Sequence, residues 1–302
     1  MDKSTSEMMR EANAAMHRAK RAGGRGYRFF SRELNEDARD RVLLAGALRH
    51  AISDDELALV YQPQVSSRDG RVVGLEALVR WNHPTEGLLM PGRFIPVAED
   101  TGLIDALGEW VLLHACRQAR DWLDAGMPFG QVAVNVAPQQ IQSGRIVTAT
   151  RDALAATGLP PERLEIEITE TTMMSLVSTE QQTLEALLAL GVRISMDDFG
   201  TGYSSLAKLR RMKTHAIKID KSFVDDIAHD PAAAQIISSV AHLARNLGLW
   251  VVMEGVETAE QVAFLRECRC CDSIQGFYFS RPVAPEQIPE LLSRPFALDG
   301  TG

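Results

Sequence analysis

LEIEITE, residues 164–170, is the stretch whose reading decides the fold. As a strand it places Leu164, Ile166 and Ile168 on one face and Glu165, Glu167 and Thr169 on the other. A strand covered on both faces by a core and a layer of helices is normally apolar throughout. Taken alone, the alternation fits the wet face of an antiparallel sheet equally well.

Its neighbours repeat the pattern. In VRISMDDF (192–199), Ile194 and Met196 oppose Ser195 and Asp197; in AIKIDK (216–221), Ile217 and Ile219 oppose Lys218 and Asp220. Asn135 stands between Val134 and Val136, Glu254 follows VVM, and Glu76 shares parity with Arg80. Six strands thus carry polar groups opposite the helix-packed face, most of them near the strand's C-terminal end. The strand candidates are 59–65, 72–81, 131–137, 164–170, 192–199, 216–221, 250–257 and 273–280. Helical stretches at 105–125, 139–157, 179–190, 204–211, 231–247, 259–267 and 285–292 fill most of the gaps. The first two strands are joined by the short turn from Ser66 to Arg71, which permits only an antiparallel hairpin. The expected class is α/β, a TIM-like (β/α)8 barrel with the first strand antiparallel. An open doubly wound sheet is the alternative, but no glycine-rich nucleotide loop follows any strand.

In a barrel the polar face is the interior. There Glu76, Glu167, Asp197, Asp198 and Glu254 have only Lys218 to offset them. An unpaired buried carboxylate costs several kcal/mol or shifts its pKa by units, so the imbalance calls for divalent cations. All-oxygen donors favour Mg2+ or Mn2+ over zinc. Asp197 and Asp198 can serve one cluster only if the strand ends between them and turns, which the following FGTGY permits. Asp197 could then bridge two ions, with Asp198 on the second. Such a pair can activate a water and stabilise both oxygens of a phosphodiester exchange. Lys218 would orient that water, although a purely structural counter-ion is an open reading.

Composition narrows the field. The chain has 302 residues, 32 basic and 40 acidic, for a net charge of −8, with 45% hydrophobic and 24% charged residues. This is ordinary globular composition, and the acidic balance argues against DNA as a partner. No apolar run approaches the ~20 residues of a membrane helix, and the N-terminus lacks a signal-peptide core. A cytoplasmic location is expected, with any membrane anchor lying upstream. The seven histidines are scattered, without HExxH. Of the four cysteines, three fall in CRCC (268–271), which lacks paired metal spacing, so reduced thiols are expected.

Residues 1–31 read as the end of another domain: a capping box at Ser4 and Glu7, a short amphipathic helix, then GRGYRFF. Residues 32–56 form a linker helix leading into the barrel, 57–295 the barrel itself, and 296–302 a tail.

The ordered motifs EALVRW (76–81), VNVAPQQ (134–140), EIEITET (165–171), DDFGTGYSSL (197–206), KIDKSFV (218–224), EGVET (254–258) and QGFYFSRP (275–282) resemble the EAL domain. That family comprises cyclic-di-GMP phosphodiesterases on a TIM-like barrel with an antiparallel first strand. Residues 8–30 similarly resemble the last helix and strand of a GGDEF domain, without its catalytic core. The resemblance implies Glu76, Asn135, Glu167 and Asp197 as ligands of one metal. Asp197, Asp198 and Glu254 would serve the second, directly or through water. It implies Lys218 as holder of the nucleophilic water, Glu254 as an assisting base, and Gln62, Arg80 and Gln275 as contacts to guanine or phosphate. Glu170 matches the glutamate that tethers the DDFGTGYSSL loop and couples metal binding to dimer contacts. The implied product is linear pGpG, made with two Mg2+ or Mn2+ ions and inhibited by Ca2+. The implied partners are a second EAL domain in a homodimer and upstream GGDEF and sensor domains. The alternative is a catalytically inactive EAL domain acting as a cyclic-di-GMP receptor. Enolase-like or glycosidase barrels do not predict the Asn135 and Asp197-Asp198 combination.

Overall fold

The computed structural model describes Met16, residues 32–201 and residues 213–298. The expected domain remnant at 1–31 (Met16 apart), the helix at 204–211, most of the GTGYSSL loop and the last four residues lie outside the described residues. Nine strands are present among them: β1 Leu57–Ser66, β2 Val72–His83, β3 Gly87–Leu89, β4 Gln131–Asn135, β5 Leu164–Thr169, β6 Arg193–Phe199, β7 Ala216–Ile219, β8 Trp250–Met253 and β9 Ser273–Ile274. Eight close into a barrel, in the order β1, β9, β8, β7, β6, β5, β4, β2 and back to β1. β1 runs antiparallel to both β2 and β9, and the other barrel neighbours are parallel. The antiparallel first strand expected from the hairpin is thus present, and β3 is a short flap on the outer end of β2.

Alternation along the strands divides two kinds of packing. Outward residues such as Leu75, Val134, Ile166, Ile194, Ile217 and Met253 are buried against the helices. Each such aliphatic side chain, removed from water, contributes roughly 1.5–3 kcal/mol. The inward face carries small residues in the middle of the barrel: Gly74, Ala133, Ser195, Ala216 and Ser273, all buried. A Cβ on Gly74 would come within 2.6 Å of the Gln64 amide oxygen. These small groups leave room for the long polar side chains of Glu76, Glu165, Glu167 and Lys218, each at most 6% exposed.

Several elements differ from expectation. β8 and β9 stop at Met253 and Ile274 rather than near 257 and 280. Gly255 turns the chain out at φ +66°, and Gly276 lies so close to Val256 that a side chain would not fit. The helix expected at 139–157 is two, Pro138–Ser143 and Arg145–Thr157, hinged at Gly144 with φ +69°. A helix at Pro91–Thr101 goes unread in the sequence because Pro91 and Pro96 look like breakers. Pro91 sits at its first turn, where no N–H is needed, and Phe94, Val97 and Ala98 anchor it to the core. The helix Arg32–Ala51 buries Leu44, Leu48 and Ala51 against the barrel. Cys268 and Cys270 form a disulfide, correcting the expectation of reduced thiols there, while Cys116 and Cys271 are free and buried. Arg269 between them adopts φ +50° at the end of its helix, which folds the chain back and leaves the two Cα atoms 5.2 Å apart, within bridging range. Among the described residues no helix is long and apolar enough to cross a membrane.

Candidate active site

The polar inward residues converge at the C-terminal ends of the parallel strands, where barrel sites form. Lys218, on β7 and 1% exposed, is the hub. Its Nζ lies 2.7 Å from Glu167 Oε2 and 2.8 Å from Glu254 Oε1. Glu76 Oε2 and Asp197 Oδ1 are each 3.4 Å away. Four strands of the barrel and the residue that follows β8 therefore deliver side chains to one point. Glu76 is held further by Asn135 Nδ2, which donates to Oε1 at 2.6 Å, and by Gln275 Nε2, which donates to Oε2 at 2.6 Å. Gln275 also donates to Gln62 Oε1 at 3.1 Å, and Gln62 donates to the Ser280 carbonyl.

Asp198 joins this group by a route the sequence did not suggest. β6 does not end between Asp197 and Asp198: it continues to Phe199 with a bulge against β7, and Asp198 takes φ +54°. Aspartate tolerates this left-handed conformation better than most residues. The bulge brings carboxylate oxygens of Asp197, Asp198 and Glu254 within 4.8 Å of one another.

Two expected residues sit apart from the cleft. Arg80 is buried, but its Nη1 donates to the neighbouring Val79 carbonyl at 2.8 Å. Glu170 is fully buried below the loop that follows β6, where its Oε2 accepts from Gly200 N at 2.6 Å. Gly200 has φ +103°, and a Cβ there would strike the Phe223 ring.

Burial raises the carboxyl pKa values at this mouth, and the compensation is uneven. Burial would raise Glu76, but Lys218 and the hydrogen bonds from Gln275 and Asn135 outweigh it, leaving Glu76 below its ordinary value. For Glu167, burial and its acidic neighbours Glu76 and Asp197 overcome Lys218 and lift it well above the usual carboxylate range. Burial pushes Glu254 up to about 8 despite Lys218, and burial and Asp197 raise Asp198. Lys218 would be lowered by burial, yet Asp197, Glu167, Glu254 and Glu76 hold it well above the ordinary lysine value, so it stays protonated.

The donor set fits divalent cations. Five carboxylates share one ammonium group, and Glu167 Oε1 and Asp197 Oδ1 are buried without a hydrogen-bond partner. Buried orphan oxygens of this kind are rare in a finished polar network. Oxygen donors with no sulfur or imidazole suit Mg2+ or Mn2+.

Above this floor opens a cleft of about 410 Å3, walled by Gln62, Gln275, Asp220 and Phe277. Phe277 was not singled out in the sequence, because an aromatic within GFYF reads as core. It is 46% exposed, with the Arg281 guanidinium 4.3 Å above its ring centroid. At the same rim Lys221 pairs with Glu257.

Comparison with known proteins agrees with this architecture. The EAL domain profile matches residues 45–282. The bifunctional diguanylate cyclase/cyclic di-GMP phosphodiesterase MucR of Pseudomonas aeruginosa is 45% identical over 282 residues, covering 93% of this chain and 41% of MucR. The cyclic di-GMP phosphodiesterase NbdA of the same organism is 44% identical over 286 residues, covering 95% of this chain and 36% of NbdA. The chain thus spans about two fifths of the length of these relatives. Among solved structures, the MucR phosphodiesterase in complex with c-di-GMP matches with TM-score 0.76 and 46% identity, over 82% of this chain and 99% of that one. The EAL domain of Mycobacterium smegmatis DcpA matches with TM-score 0.68 and 33% identity, over 80% of this chain and 99% of that one. The chain belongs to the EAL domain family.

Proposed function

We propose that this chain is a metal-dependent phosphodiesterase that hydrolyses cyclic-di-GMP to linear pGpG. The observation that carries the reading is the surplus of buried carboxylate at the C-terminal mouth, with two oxygens left without a hydrogen bond beside one lysine. The likeness to MucR and NbdA supports the substrate class.

In this reading Glu76, Asn135, Glu167 and Asp197 would hold one Mg2+ or Mn2+ ion, and Asp197, Asp198 and, directly or through water, Glu254 would hold the other. Bound there, such ions supply Lewis-acid polarisation of the phosphodiester and ease deprotonation of water. The chain's own groups do the rest. Lys218, protonated and rigidly held, presents N–H to the attacking water and offsets charge on the phosphoryl oxygens. Glu254, which a cation bound beside it would keep ionised, takes the proton that the water gives up. The water oxygen bonds to phosphorus as the bond from phosphorus to one ribose oxygen breaks, and that oxygen leaves as a hydroxyl after taking a proton from solvent, which opens the ring. Gln62, Gln275 and Arg80 contact guanine or phosphate, Arg80 after releasing the Val79 carbonyl. Glu170 keeps the Gly200 turn in place beneath Asp198. Pairing with a second EAL domain, upstream GGDEF and sensor domains, and a cytoplasmic setting complete the proposal.

Incubation with cyclic-di-GMP and Mg2+ or Mn2+, followed by nucleotide chromatography, tests it. The expected result is linear pGpG, abolished by EDTA and suppressed by Ca2+, whose looser coordination misplaces the water. Tight binding with intact cyclic nucleotide would overturn the catalytic assignment in favour of a receptor.

A further inference from the structure

At the opposite, N-terminal mouth of the barrel lies a cavity of about 760 Å3, larger than the cleft over Lys218 and within the usual range for small-molecule sites. We infer that this mouth binds a second ligand: a small molecule with an anionic group and a hydrogen-bonding ring, of the nucleoside monophosphate class.

Three guanidinium groups stand around the cavity. Arg163 is fixed by donating Nη1 to the carbonyls of Phe129 and Gly130 at 2.7 and 2.6 Å. Arg193 donates Nη1 to Gln131 Oε1 at 2.6 Å, and Arg245 Nη2 is 3.5 Å from Asp272. A guanidinium has five N–H groups, so each fixed arginine retains donors for an anion. Deeper in, two buried side chains line the cavity with an unpartnered polar atom each. They are the Gln64 amide Nε2, 2% exposed, and Glu165 Oε1, 1% exposed. The Ser195 hydroxyl adjoins Glu165 and eases its burial, but it too lacks a partner in hydrogen-bond geometry. Glu165 Oε2 is already engaged by Gln131 Nε2 at 2.7 Å. The amide lacks an acceptor and Glu165 Oε1 has no donor but the adjoining Ser195 hydroxyl; the edge of a nucleobase can supply both groups, a bare anion only the acceptor. At the rim Trp250, 45% exposed, is fixed through Nε1 to Ser273 Oγ at 3.0 Å and provides a rigid aromatic surface. The mouth thus combines anion donors, a stacking ring and an unsatisfied donor-acceptor pair. Structural duty alone, the ordinary role of this end of a barrel, leaves that last pair unexplained.

The test is calorimetric titration of the full chain with GMP, AMP and inorganic phosphate, with the Trp250 indole N–H followed by NMR. It is done in Glu76→Ala protein so that the upper mouth is impaired. The expected result is one site per chain, a shifted Trp250 signal, and nucleotide binding tighter than phosphate. Arg193→Ala should weaken binding by about tenfold, as loss of a charge-assisted contact does, and Arg245→Ala provides a second variant should the first unfold. No binding at millimolar nucleotide overturns the inference. So does phosphate binding as tightly as nucleotide, or nucleotide binding that both arginine variants retain at full strength. None of these outcomes bears on hydrolysis at the upper mouth.

Discussion

Glu165 and Glu167 stand two residues apart on the inward face of β5, each 1% exposed. One lines the N-terminal cavity, where Gln131 donates to it and arginines surround the opening. The other meets Lys218 at the C-terminal mouth among four further carboxylates. Burial raises both carboxyl groups, but Glu167 rises well above its range, because Glu76 and Asp197 repel the charge that Lys218 favours. For Glu165 the hydroxyl of Ser195 and the charges of Lys218 and Arg193 soften the effect. The same alternating strand thus makes an electronegative mouth at one end and an arginine-rich mouth at the other. What differs is the neighbouring strands' inward residues, not β5 itself.

The sharpest way to break the comparison is to remove a carboxylate that touches Lys218. Glu76→Ala or Asp197→Asn should cut turnover by at least about 1,000-fold, well beyond the 10–100-fold cost of losing a residue that only orients a ligand. It should also remove the rise in Tm that Mg2+ or Mn2+ gives. Lys218→Met should lower turnover about 100- to 1,000-fold, as loss of one electrostatic donor does, yet retain the Mg2+ effect on Tm, because the carboxylates stay. Steady-state rates combined with thermal shift in metal separate the two. Loss of the Mg2+ response in the lysine variant would mean that Lys218 organises the cluster rather than acting on the substrate.

A smaller effect is expected one step away. Glu170→Ala removes the acceptor from the half-buried Gly200 N–H, an orphaning worth at most about 1–3 kcal/mol. Turnover should drop about 10- to 100-fold through displacement of Asp198. Unchanged rates would show that the bulge at Asp198 holds itself.

Much of this contrast could be read from the chain. Period-two alternation revealed the inward polar faces, and the short turn after β1 revealed the reversed strand, because both are local rules of strand geometry. The convergence of Glu76, Glu167, Asp197, Lys218 and Glu254 followed once closure was inferred. The bulge at Asp198 was not legible, since a register shift depends on how β6 meets β7 rather than on either strand. Arg80 turning to its own neighbour's carbonyl was hidden for a similar reason, as parity fixes a face but not a rotamer. Nor did the sequence mark the N-terminal mouth. Arg163, Arg193 and Arg245 lie far apart in the chain, and nothing short of the closed barrel places them around one cavity.

Metal-free stability should carry the signature of the acidic mouth. Glu254 has a folded-state value of about 8 against an ordinary 4.5. Between those values the folded chain keeps a proton that the unfolded chain has lost, so stability falls as pH rises through this window. In EDTA, Tm should be lower at pH 8 than at pH 5 by more than ~2 °C, the shift that about 1 kcal/mol produces in a domain of this size. Added Mg2+ should restore it at pH 8. A Tm that rises with pH in EDTA would mean that Lys218 compensates the cluster without metal.

The smallest effect sharpens the comparison most, because it isolates two carboxyl groups on one strand. Glu165→Gln and Glu167→Gln each replace a buried acid with a neutral group of similar shape, and burial raises both acids. Each substitution should raise metal-free Tm more at pH 8 than at pH 5, because burial penalises the charged carboxylate that higher pH favours. The increments should be no more than a few degrees, with Glu167→Gln the larger. The variants should part company when Mg2+ is added: Glu165→Gln keeps the full metal-induced rise, whereas Glu167→Gln loses most of it. Equal responses would mean that the two ends share one electrostatic site running through the barrel, and that the small residues between them do not separate it.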